Sequence, residues 1–229
     1  MTITSEQFFD GREMLVVHTM FRREFGLMPE LVRGVAAGDQ HRMRIVAGHL
    51  VGVATALHHH HRAEDEHAWP FLLERGSEDV ASIVQLMEIQ HANIDELAAE
   101  VDVALKAWGE GTATAYRDAL ADVLERLVPV LDQHMRLEEE RAVPLMEKFI
   151  TAAEWSRMVQ AGTAGIDLGD LTLGFGMLMY EGEPEVVDLA IAALPPEVHA
   201  VIRQRAARAF AAHSERVHGT ATPPRSNEL

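Results

Sequence analysis

Six side chains could do chemistry together: His18, His60, Glu64, His91, His134 and Glu138. Each interrupts an otherwise apolar stripe written with helical spacings of three and four. His18 falls between Met14 and Phe21, and His91 between Met87 and Ile94. His60 and Glu64 follow Val46, Leu50, Val53 and Leu57, while His134 and Glu138 follow Leu120, Leu124, Leu127 and Leu131. Such stripes are the inward faces of packed helices. An ionised carboxylate there is costly unless it is paired or bound to a cation. Imidazoles mixed with carboxylates are ligands suited to iron, manganese or zinc, and the metal would neutralise the glutamates. The competing reading is a buried polar network of satisfied core histidines.

An internal repeat favours the metal. The segment LHHHHRAEDEHAWPFL from Leu57 aligns with LDQHMRLEEERAVPLM from Leu131 at an offset of 74, with seven of sixteen positions identical. His60 then matches His134, Glu64 matches Glu138, and Pro70 matches Pro144. His18 and His91 stand 73 apart. Two similar halves, each with a His and a downstream His-x-x-x-Glu, can build one centre about a pseudo-twofold axis. The i, i+4 spacing puts His and Glu on one helix face.

The elements that position these residues read as four long helices within residues 1–150, divided by Gly34 to Asp39, Gly76 to Asp79 and Gly109 to Gly111. Short connections make successive helices antiparallel neighbours, and no alternating run is long enough for a strand. The expected fold is all-α: an up-down four-helix bundle followed by a smaller helical extension over 151–219 and a frayed tail over 220–229. Thr151 with Glu154 suggests a capping box opening the extension. Its LTLGFGMLMY stretch reads as a short buried helix. The 229 residues contain no cysteine, which removes disulfides, thiolate chemistry and iron–sulfur clusters. A net charge of −16 argues against nucleic acid or an anionic membrane as partner. The apolar run from Leu171 to Tyr180 is half of the roughly 20 residues that a membrane span needs. The opening MTITSEQFFD has neither a basic region nor an apolar core, so no export signal and a cytoplasmic location are expected.

The pattern H…HxxxE…H…HxxxE resembles that of the hemerythrin-like HHE domain family, over about residues 10 to 148. The resemblance implies a four-helix bundle around a non-haem diiron centre. There Glu64 and Glu138 would bridge two iron ions, an oxide or hydroxide would bridge them too, and the four histidines would cap the irons in unassigned pairs. It further implies reaction with a small oxidant, by binding, sensing or decomposing O2, NO or peroxide. The sequence departs from the oxygen carriers of the family, which hold another histidine four residues after the third-helix ligand. Here that residue is Asp95, so a reversible oxygen carrier is not expected. An oxidoreductase using O2 or peroxide on an organic substrate, with the extension closing a pocket, is the competing function.

Neighbouring residues invite further assignments. Four consecutive histidines spread around a helix axis, so only His60 of His58 to His61 lies on the seam, and the others are expected at borders or in solvent. His67 and Asp95 are candidates for an outer shell around the metals. Asp65, Glu66, Glu139 and Glu140 read as a solvated face from which one carboxylate could orient a ligand histidine.

Overall fold

Asp39 caps the second long helix by accepting from the Arg42 backbone N–H at 2.9 Å, and the apolar stripes decide which faces turn inward. The computed structural model describes residues 7–111 and 113–229, so most of the opening segment read for an export signal, residues 1–6, lies outside them. In chain order the first part holds α1 (Arg12–Arg33), α2 (Gln40–Ala63), a π-helical turn (Glu64–Ala68), α3 (Trp69–Arg75), α4 (Glu78–Glu110), α5 (Thr114–Arg141) and α6 (Val143–Phe149). Helix α1 packs against α2 and α5, and α4 against α2 and α5. Among the described residues β structure is limited to an isolated antiparallel bridge between Phe8 and Thr151.

The second and fourth stripes are not continuous helices. A proline cannot donate its backbone nitrogen and crowds the carbonyl four residues earlier, and Pro70 and Pro144 each follow a break. Before Pro70 the helix widens to a π turn, in which the Trp69 N–H bonds the Glu64 carbonyl. Before Pro144 the chain ends α5 at Arg141 and restarts at Val143.

The apolar core falls into two clusters separated by a polar layer. Phe21, Phe25, Leu50, Leu57, Ile94, Leu124 and Leu131 lie in one; Met14, Trp69, Leu72, Met87, Val143 and Met146 lie in the other. Along α1 the residues flanking His18 therefore belong to different clusters, as do those flanking His91 along α4. Each large side chain buried in this way contributes about 1.5–3 kcal/mol, which holds the layer between them in place.

The extension consists of α7 (Ala152–Thr163), α8 (Leu168–Glu181), α9 (Pro184–Ala193) and α10 (Pro196–His218). Thr151 and Glu154 form the expected capping box. Helix α8, which carries LTLGFGMLMY, packs on α10 and α1. Gly176 permits that approach, since a Cβ there would stand 2.3 Å from the Ala206 carbonyl oxygen. A polar joint ties α8 to α1: fully buried Arg23 bonds Glu24 and reaches Glu181 at 2.8 Å. The Trp155 Nε1–H donates to Glu13 at 2.9 Å, joining α7 to α1. The expected frayed tail is instead tied back. Tyr180 donates to the Pro223 carbonyl at 2.8 Å, the Ser226 N–H donates to Glu181, and a 3-10 turn covers Ser226–Glu228. No helix among the described residues is long and apolar enough to cross a membrane.

Candidate metal centre

All six candidate ligands meet in the polar layer. His18 comes from α1, His60 from α2, Glu64 from the start of the π turn, His91 from α4, and His134 with Glu138 from α5. His18 and His60 stand together, their Nε2 atoms 3.3 Å apart. His91 and His134 form a second pair, with ring centroids 4.8 Å apart. The two carboxylates lie between the pairs. Glu64 reaches His60 through Oε1 at 3.2 Å and His91 through Oε2 at 3.5 Å. Glu138 reaches both His18 and His134 through Oε2, at 3.3 and 3.5 Å.

Six of the atoms turned inward have no hydrogen-bond partner. Both oxygens of Glu64 and of Glu138, and Nε2 of His91 and of His134, are buried without a hydrogen-bond partner. Buried polar atoms are seldom left so. Three outward ring nitrogens, by contrast, are occupied. His18 donates from Nδ1 to Glu139 at 2.9 Å, His91 to Asp65 at 2.8 Å, and His134 to the Gln90 side-chain oxygen at 3.2 Å. A histidine anchored at Nδ1 presents the Nε2 lone pair to the centre, which is how proteins orient metal-binding imidazoles. The donor set therefore fits a hard or borderline cation.

Electrostatics point the same way. Burial pushes His134 down to about 4 and, with the charge of His18, His60 to about 3, so both rings are neutral at pH 7 and able to donate a lone pair. Burial and the facing Glu138 push the Glu64 carboxyl well above its usual range. Burial would raise Glu138 too, but His18, His134 and His60 outweigh it and hold its carboxyl low. His18 is opposed by burial yet ends raised, because Glu138 and Glu139 favour its cation. A cation here would release these protons as it bound.

Of the two outer-shell candidates, Asp95 is exposed. Asp65 is the carboxylate that bonds His91, and it also accepts from the Trp69 indole at 2.9 Å. Side chains at i and i+4 share a helix face, so a residue one turn beyond His91 could have turned inward; on α4 it is Ile94 that turns inward and Asp95 that faces solvent. His67 is half-buried on the π turn, and among the described contacts no hydrogen bond or ring contact joins it to the six. Asp65 and Glu139 are counterparts in the repeat, and each orients the upstream histidine of the other half. The signal for them was an acidic residue directly after each candidate glutamate. Sequence reasoning also missed His61. It was expected at a border or in solvent, yet it is buried, with its ring 4.2 Å from His91 and 5.0 Å from His134.

Comparison with curated proteins gives no match, and neither does comparison with solved structures. The family model described as the hemerythrin HHE cation-binding domain matches residues 12–146, a span that contains all six candidate ligands. With that match over more than half of its length, the chain belongs to the hemerythrin HHE cation-binding domain family.

Proposed function

We propose that the chain is a diiron protein that reacts with small oxidants (O2, NO or peroxide), its hemerythrin-like part being an up-down four-helix bundle over residues 1–150. One observation carries this reading: six unbonded carboxylate and imidazole atoms converge in one buried layer, while the opposite nitrogens of three histidines are anchored outward. His18 and His60 would hold one iron and His91 and His134 the other, with Glu64 and Glu138 between them. The two oxygens of Glu64 already face histidines of different pairs. A bound iron pair would supply redox chemistry, taking up a small oxidant and passing electrons to it.

The chain's own residues define what can reach that layer. Apolar clusters close it on both sides, and the Phe21 ring lies 5.4 Å from His60. Two surface hollows, one lined by Val35, Gly38 and Arg117 and the other by Leu173, His213 and Arg216, include none of the six residues. These features favour a diatomic gas or peroxide as the reactant. Glu64 would hold a proton in the metal-free protein and give it up on loading.

The test is stopped-flow absorption. Anaerobically reduced, iron-loaded protein is mixed in turn with O2, NO and peroxide. A rapid spectral change that disappears in Glu138→Ala supports the reading. Iron-loaded protein that stays spectrally silent toward all three would make the site structural or storage-related.

A further inference from the structure

We infer that His61 is a fifth histidine of the centre, a ligand on the side of His91 and His134. This deepens the two-metal reading above and rests on it. Consecutive residues on a helix point about 100° apart, so an ideal seam admits only one of His60 and His61. Here both turn inward and take opposite sides. His60 lies against His18 and Phe21. His61 is 4% exposed, stacks on His91 with an interplanar angle of 12°, and meets His134 edge-on at 87°.

The second observation concerns the free nitrogen. His61 Nε2 is buried and has no hydrogen-bond partner. One ring nitrogen each from His61, His91 and His134 lie within 4.8 Å of one another. A histidine that only filled space would serve worse than an apolar residue, because its buried nitrogen would stay unsatisfied. The repeat shows that an apolar residue suits the equivalent place: the counterpart of His61 is Met135, itself buried. At this position the pseudo-twofold symmetry breaks, which gives three histidines to one side and two to the other. The two metals should therefore be held unequally, and the difference should reside in His61.

The experiment uses the full chain loaded anaerobically with Fe(II) or with Co(II), titrated against a competing chelator, with elemental analysis at each step. His61→Met, which copies the counterpart residue, is compared with wild type and with the exposed-site control His58→Ala. The expected result is that His61→Met keeps the melting temperature of the metal-free chain and binds one metal as before. The other metal is weakened roughly 10- to 100-fold, and its Co(II) absorption bands shift. A wild type with two metals, matched in both affinities by His61→Met, overturns this inference alone. A wild type that takes up fewer than two metals overturns the two-metal reading and this inference with it. Proton NMR of the Co(II)-loaded wild type is independent of any variant's folding: five sets of paramagnetically shifted imidazole signals support the inference and four overturn it.

Discussion

Replacing Glu64 with glutamine should shift the metal-free and metal-loaded proteins in opposite directions. Glu64 is 1% exposed, neither of its oxygens is hydrogen-bonded, and it faces the Glu138 carboxylate. Its carboxyl is raised by folding, so it favours the folded chain less as pH rises past the ordinary carboxylate range. Glutamine has the same shape, removes the titrating carboxyl and with it that pH-dependent loss, and can donate its amide N–H to Glu138. An unsatisfied buried polar group costs about 1–3 kcal/mol. Relief of that order at pH 8 should raise the metal-free melting temperature by about 2–12 °C, at the 2–4 °C per kcal/mol typical of this chain length. In the loaded protein, on the proposed two-iron reading, the variant would lose one of the two carboxylates that hold the metals. A metal present at a thousand times its dissociation constant stabilises by about 4 kcal/mol, so losing one should lower the melting temperature by about 8–16 °C. Scanning calorimetry with a chelator, and again after anaerobic Fe(II) loading, measures both numbers. Equal shifts in the two states, or a lowered metal-free melting temperature, would show that Glu64 is a structural residue and refute the reasoning.

Other perturbations probe the surroundings. Burial raises Glu13 to about 7 despite the Trp155 hydrogen bond, so its contribution to stability is complete below pH 4.5 and lost as pH rises through 7. Glu13→Gln should therefore be nearly neutral at pH 5 and stabilise by up to about 3 kcal/mol at pH 8, read from urea unfolding at the two pH values. Arg23→Met leaves Glu24 and Glu181 without their buried cation and should cost about 3–5 kcal/mol; an unchanged denaturation midpoint would contradict that. Metal loading should release protons from His18 and Glu64, so affinity should fall with decreasing pH and a pH-indicator dye should register the release. A pH-independent affinity would argue against both protonated groups.

The six candidate ligands were legible because each breaks a long apolar period, and because the two halves repeat the same interruption. Periodicity of that kind survives in one dimension. His61 was not legible, since helix geometry alone places it off the seam beside His60; both turn inward because the layer has two sides. The oriented carboxylates were half legible: Asp65 and Glu139 look like surface acids until the fold sets them beside the other half's histidines. Asp95 drew attention by its distance from His91, yet its own side chain faces solvent. The breaks before Pro70 and Pro144 follow from proline chemistry, although which of them widens to a π turn is seen only in the structure. The polar tethers of the tail, Tyr180 and Glu181, lie more than forty residues from their partners, a separation that local patterns do not encode.

The central claim is that this layer holds two irons through His18, His60, Glu64, His91, His134 and Glu138. Its most direct test is the metal content of the full chain after anaerobic Fe(II) loading and removal of excess, measured beside single alanine variants of the six and the His58→Ala control. The account predicts two irons per chain in wild type and in His58→Ala, with fewer in each of the six variants. One zinc per chain, or an iron content indifferent to the six substitutions, would contradict it.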